Sequence, residues 1–222
     1  RLPFILAADC GVIIKPSEFA ATSLDFVVKA ISKSMYLKKS VNIVYGSGKK
    51  IGSYLVKSKG IDMISFTGST DTAKKIISNS HKGCIKKLSL ELGGKNPIIV
   101  NDLFEIKKNI KSIVEIIMEN GGQACIGGSL IYVNSKIYKT FKEYIVKELD
   151  LFKNYQYPVR KHIRNNHYNH VNLNKIFYGK KNIKSKLNKP ILVENLSSED
   201  RINTKEIFSP LISLKKFSSI KK

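Results

Sequence analysis

The chain has 222 residues, with 39 Lys or Arg against 17 Asp or Glu, for a formal net charge of +22 at pH 7. Hydrophobic residues at 42% and charged residues at 25% exclude a disordered polyelectrolyte. No apolar run reaches the roughly 18 to 20 residues needed to cross a bilayer. A chain of this length forms one large domain or two small ones and buries about 70% of its unfolded surface without disulfides. Cys10, Cys84 and Cys125 lack CxxC spacing, so neither a disulfide framework nor a zinc site is expected, and a reducing, cytoplasmic setting fits best. The start, Arg1 to Cys10, has a basic residue and a short apolar run, without the length or cleavage pattern of a signal peptide. With Arg1 in first place and no methionine, the chain reads as part of something longer. The positive excess makes nucleic acid the first partner to consider. Only Arg1, Arg160, Arg164 and Arg201 are arginine, however, and base readout and bidentate phosphate clamps favour Arg over Lys. A general bias toward lysine is the simpler account.

Up to about residue 150 the pattern alternates between strands and helices. Gly11–Lys15 is a short β-branched run stopped by Pro16. From Ala20 to Leu37, the positions Leu24, Val27, Val28, Ile31 and Met35 recur at helical spacing and predict one helix. A strand follows at Val41–Tyr45, ended by Gly46-Ser-Gly48, then a short helix at Ile51–Lys57 and a strand at Asp62–Phe66. Gly68-Ser-Thr70 opens a helix through Ser78. This spacing is that of parallel βαβ units, whose crossovers need a helix. Lys87–Glu91 and Asn96–Val100 read as strands on either side of Gly93-Gly94. Leu103–Asn120 is predicted as a helix, with Ile106, Ile110, Ile113 and Ile117 on one stripe, ended by Gly121-Gly122. Leu130–Val133 is a strand and Ile137–Phe152 a helix; regular pattern returns at Pro190–Val193 and Ile207–Phe217.

The stretch Lys153–Lys189 differs from its surroundings. It holds ten Lys or Arg and no Asp or Glu, nearly half of the net charge. Spacing alone leaves His162, His167 and His170 a weak metal candidate, with no cysteine or helical face to support it. Tyr155, Tyr157, Tyr168, Phe177 and Tyr178 interleave with the charges, as in some single-stranded nucleic-acid sites. A solvated segment is the simpler expectation.

Four segments carry chemistry when read together: Lys15-Pro-Ser-Glu18, Phe66-Thr-Gly-Ser-Thr70, Leu90-Glu-Leu-Gly-Gly-Lys95 and Asn120-Gly-Gly-Gln-Ala-Cys125. In this order they resemble the NAD(P)-dependent aldehyde dehydrogenase superfamily, and Lys205-Glu-Ile-Phe-Ser-Pro210 is similar to a fifth motif of that family. The resemblance is close over residues 2–150, weak over 151–190, and resumes over about 190–217. It implies an α/β fold: part of a Rossmann-like cofactor-binding domain over 1–90, then part of an α/β catalytic domain over 91–217, with the basic divergent segment at 153–189. By the same resemblance the chain is a partial one, lacking both ends, and the intact protein is a homo-oligomer.

The residue chemistry agrees with the resemblance. A nucleophilic cysteine must reach a substrate carbon as thiolate, at an exposed bend. Cys125 follows a Gly-Gly break directly after a long helix, where glycines allow close backbone approach and offer N–H groups to an oxyanion. The resemblance makes Cys125 the nucleophile, which forms a thiohemiacetal and then a thioester. It makes Glu91, at the mouth of a strand, the general base for the deacylating water, a role suited to a partly buried carboxylate. Cys10 and Cys84 are expected to be buried and inert. Lys15 and Glu18 match the positions that hold the adenine ribose, and a carboxylate there favours NAD over NADP by repelling a 2′-phosphate. Gly68 and Ser69 lie between a strand and a helix, where free N–H groups suit a pyrophosphate. Gly46-Ser-Gly48 is a weaker signal, more often a simple turn. Glu206 and Phe208 match the family positions beside the nicotinamide ribose and ring.

The expected activity is oxidation of an aldehyde, a small molecule, to a carboxylic acid, with no metal and no membrane. Two other classes stay open on sequence alone: a non-catalytic remnant, and a basic interaction or nucleic-acid-binding module centred on Lys153–Lys189.

Overall fold

The computed structural model describes residues 1–82, 84–103, 106–152, 175–179 and 190–219, in two compact units, Arg1–Leu92 and Gly93–Lys222. The first unit begins with a helix that the apolar run did not announce, α1 (Leu2–Ala7), with Pro3 in its first turn, where a missing N–H is harmless. Then come β1 (Val12–Ile14), a 3-10 turn (Thr22–Leu24), α2 (Asp25–Ser32), α3 (Met35–Ser40) and β2 (Val41–Ile43). A π-type turn (Gly48–Gly52) leads into α4 (Ser53–Lys57), followed by β3 (Met63–Gly68), α5 (Thr70–Ser80) and β4 (Lys87–Leu92). β1 pairs with β2 and β3 with β4, both parallel, as the βαβ spacing requires.

The single helix predicted over Ala20–Leu37 is divided. Ser34 is extended (φ −115°, ψ 122°), and its hydroxyl accepts from the Leu37 N–H, making it the N-cap of a new helix. Met35, placed on the inward stripe by periodicity, is 79% exposed. The unit's buried apolar residues are few: Ile31, Val41, Val56, Ala73 and Ile76. Lys86 is buried with them, its ammonium donating to the carbonyls of Ser58 (2.5 Å) and Ile61 (2.6 Å) and to Cys84 Sγ (3.1 Å). That clamp ties the turn before β3 to the start of β4. Cys10 is exposed and Cys84 half-buried, so the expectation of two buried cysteines is corrected. Both lie outside regular elements, where no apolar face encloses them.

The second unit contains β5 (Pro97–Val100), α6 (Ile106–Met118), a 3-10 turn (Glu119–Gly121), β6 (Leu130–Asn134), α7 (Tyr138–Leu151), β7 (Ile176–Tyr178), β8 (Ile191–Glu194), α8 (Arg201–Thr204) and β9 (Leu211–Phe217). The strands form one sheet in the order β5-β6-β9-β8-β7, parallel except for β7 against β8. Both faces are covered, so β8 and β9 read as continuous apolar runs rather than alternating ones. Side chains still alternate between the faces. Leu192, Ile212 and Leu214 join Ile131, Val133 and the inner faces of α6 and α7 in one core. Ile191, Val193 and Leu211 turn to the other face, where Ile202 of α8 and Ile207 cover them. On α6 the buried stripe runs Ile106, Ile110, Val114, Ile117; Ile113, predicted on it, is only partly buried.

At the C-terminal end of β8, Tyr138 and Lys142 both donate to Glu194, at 2.7 Å each. Burial alone would raise the Glu194 carboxyl, and the two hydrogen bonds with the charge of Lys142 overcome this and hold it below its usual range. Lys142 also lies 4.1 Å from the centre of the Phe177 ring, and the Tyr178 hydroxyl donates to Asp150 at 2.8 Å. These two aromatics of the basic segment are therefore engaged within the unit. His162, His167, His170, Tyr155, Tyr157 and Tyr168 lie outside the described residues. Among the described residues, no helix is long and apolar enough to cross a membrane, and no three His, Cys, Asp or Glu are grouped to hold a metal.

A carboxyl held low in the folded state contributes stability above its unfolded pKa and loses it as pH falls through the folded value. Glu194→Gln should therefore cost about 1–3 kcal/mol near neutral pH, since two donors lose a charged acceptor. The variant's deficit should shrink as pH drops below about 4, which urea unfolding across pH 3–7 would measure.

Candidate active site

In the first unit, the loop after β1 and the turn after β2 are bound to each other through two predicted residues. Lys15 Nζ donates to the carbonyls of Pro16 (2.6 Å) and Gly46 (3.3 Å), and Glu18 accepts from the Gly48 N–H at 2.8 Å. Gly46-Ser-Gly48 is thus more than a connecting turn: Ser47 caps the following helical turn, and Gly46 (φ 148°) packs where a side chain would meet Ile51. Gly68 ends β3 and Ser69 is the N-cap of α5, its hydroxyl accepting from the Thr72 N–H at 3.3 Å. The 11-residue α5 presents its N-terminus there, with the unpaired N–H groups and dipole that favour an anion. Ala73, in the second turn of α5, is buried rather than facing outward.

Glu91 sits near the C-terminal end of β4, opposite Thr67 of β3. The partial burial suited to a general base is not what this unit shows: the side chain is 67% exposed. The carboxylate is instead met by Arg1, whose guanidinium lies 3.0 Å from Oε1 and also donates to Ser65 Oγ. Such an exposed pair adds little stability, but it limits where the carboxylate can point.

In the second unit, Asn120 (φ 47°), Gly121 (φ 67°) and Gly122 (φ 73°) are consecutive left-handed residues that end the α6 segment abruptly. Glycine is the residue that takes this conformation at no steric cost. Gly122 has a second reason to lack a side chain, because a Cβ there would overlap the backbone of Ser209 and Pro210. Cys125 follows in a turn, exposed and outside any disulfide. Its carbonyl accepts from the Asn96 amide at 2.5 Å, and the same amide reaches the Gly127 carbonyl at 3.4 Å. The thiol is therefore carried on a loop held at its start by Gly122 and at its middle by Asn96.

Glu206 and Phe208 lie in the segment between α8 and β9. Ile207, between them, is buried in the second core, so its neighbours are turned outward. Phe208 is itself left-handed (φ 57°) and 37% exposed, a conformation a bulky residue adopts only when its surroundings impose it. The Glu206 carboxylate rests against Gly93, where a Cβ would overlap both its oxygens. Burial raises this carboxyl, partly offset by the charge of Lys95. Lys95 Nζ is buried and has no hydrogen-bond partner among the described residues; burial lowers its pKa to about 8, against the opposing effect of Glu206. Arg1, Lys95 and Asn96 were not singled out by sequence reasoning. Lys95 belongs to a recognised motif, whereas nothing in a sequence pattern shows that Asn96 reaches residue 125.

A model of the aldehyde dehydrogenase family matches residues 1–222. The chain is 36% identical to bovine 2-aminomuconic semialdehyde dehydrogenase over 148 residues, which is 67% of this chain and 30% of that protein. It is 39% identical to a yeast aldehyde dehydrogenase [NAD(P)+] over 155 residues, covering 68% of this chain and 31% of the relative. Its fold is similar to the NAD+ complex of betaine aldehyde dehydrogenase from Staphylococcus aureus, with a TM-score of 0.84 and 25% identity over 95% of this chain and 45% of that one. The chain thus spans less than half the length of each of these proteins.

The close contact at Gly122 contrasts with the open surroundings of Gly94. Gly122→Ala should destabilise the protein by about 3 kcal/mol, from a strained φ and overlap with rigid backbone. Gly94→Ala, whose new Cβ would meet only Asn96 Oδ1 at an ordinary 3.5 Å, should cost well under half of that in the same denaturant titration.

Proposed function

Since this chain belongs to the aldehyde dehydrogenase family, we propose that it takes part in NAD-dependent oxidation of an aldehyde to a carboxylic acid, with Cys125 as the nucleophile. The observation that carries this reading is the exposed Cys125, outside any disulfide, on a loop set by the left-handed run Asn120–Gly122. A thiol so placed is open to a substrate, and its loop is braced by contacts that do not involve the sulfur.

The residues present fit a dinucleotide. Gly68 and Ser69 precede an 11-residue helix, whose N-terminal N–H groups suit a pyrophosphate. Glu18 offers a carboxylate suited to an adenine ribose bearing free hydroxyls, and it supports NAD rather than NADP. Glu206 and Phe208 would hold the nicotinamide end. When bound, NAD supplies the acceptor for the hydride leaving the substrate carbon. The Cys125 thiolate adds to the aldehyde carbon, forming a C–S bond and placing negative charge on the oxygen. Loss of the hydride leaves a thioester on Cys125. Glu91 then takes a proton from water, the hydroxide adds to the thioester, and the C–S bond breaks to release the thiolate and a carboxylic acid, which gives up its proton to solvent. Arg1 positions Glu91 for that proton transfer.

The two roles separate kinetically. In the whole protein, Cys125→Ala should abolish aldehyde-dependent NADH formation, and persistence of that activity would remove Cys125 from its role. Glu91→Gln should retain a burst of about one NADH per site, because acylation does not need the base. Its steady-state rate should fall about 10²–10⁴-fold, and stopped-flow absorbance at 340 nm would resolve the two phases.

A further inference from the structure

We propose that Lys95 is a positioning residue for Glu206, keeping its carboxylate ionised and in place to accept hydrogen bonds from the ribose hydroxyls of a dinucleotide. This rests on the reading of the protein as an NAD-dependent enzyme and adds to it a residue that acts through another. The argument starts from an unusual placement. Lys95 Nζ is buried and donates to nothing among the described residues, although a buried ammonium without a partner is expensive to keep. It lies at the end of the short stretch Gly93-Gly94-Lys95, and the first residue of that stretch is the surface on which the Glu206 carboxylate rests. Any side chain at residue 93 would displace that carboxylate. The same three residues therefore supply both the seat for the acid and a nearby positive charge.

The two groups act on each other through space rather than by a hydrogen bond. The positive charge of Lys95 opposes the effect of burial on Glu206. In return, the charge of Glu206 props up a lysine that burial brings down to about 8. Between the titration of the acid and a pH of about 8 the pair is carboxylate and ammonium. Below that window Glu206 takes a proton and loses one acceptor. Above it Lys95 becomes neutral and Glu206 stays ionised without its counter-charge. Burying Lys95 unpaired suits this task, because an ammonium bonded directly to Glu206 would occupy the oxygens that the ribose needs.

The test follows NAD affinity from pH 4.5 to 9 by isothermal titration calorimetry on the whole protein. Wild-type affinity should fall on the acid side as Glu206 protonates, and that limb should be missing in Glu206→Gln. Lys95→Met should shift the limb to higher pH, since it removes the charge that opposes burial at Glu206. Lys95→Gln, which keeps a polar end without the charge, should give the same shift, and Lys95→Arg should reverse it. In a Glu206→Gln background, Lys95→Met should change affinity less than twofold. A limb left in place by both Met and Gln variants, or moved equally in the Glu206→Gln background, would overturn the proposal while leaving NAD binding intact. Absence of NAD binding by the wild type at every pH would instead overturn the enzymatic reading beneath it.

Discussion

The backbone of Gly122 meets that of Ser209 and Pro210 so closely that no side-chain carbon fits between them, and the arrangement of the loop that carries Cys125 depends on that contact. It joins a point just past α6 to a point just before β9, 87 positions on in the chain by subtraction of 122 from 209. Each side is independently anchored. Ile117 and Met118 root the end of α6 in the large core, and Ile207 and Leu211 root the 205–210 segment in the smaller one. The left-handed run Asn120–Gly122 then has one way to leave the helix, and Cys125 is carried outward. Packed interiors transmit such constraints because they have little free volume to absorb them.

Two charged clusters of the second unit show how differently buried polarity is used. Glu194 has its carboxylate satisfied by Tyr138 and Lys142, which is what a half-buried acid needs to serve stability. Lys95 has no such partner, and a local rule broken without compensation is more often found at a functional site than in a structural one. The net charge of +22 proves a poor guide by comparison. Neither cluster is visible in a sum over the chain, and both depend on which few charges the fold brings together and shields.

Much of the fold was legible because its signals are local. The βαβ spacing, the break at Gly121-Gly122 and the apolar runs of β8 and β9 all reflect periodicity or backbone freedom, which a short window contains. The errors are equally physical. Ser34 competes for the Leu37 N–H and divides a helix whose apolar spacing ran on without interruption. Ile113 and Val114 are both acceptable on an amphipathic stripe, and only the facing sheet decides which is buried. Exposure of Glu91 and Cys10 could not be read from residue type, since it depends on what other segments cover.

The sequence by itself determined the family, the order of the motifs and which candidate groups they carry, because thiols, carboxylates and glycines keep their chemistry wherever they are placed. Tertiary structure alone decided what holds those groups. Arg1 beside Glu91, Asn96 under Cys125, and Lys95 acting on Glu206 are pairings across 90, 29 and 111 positions, the differences of their residue numbers. A periodic pattern cannot encode them: they exist only once the chain has folded, when distance in space replaces distance in sequence.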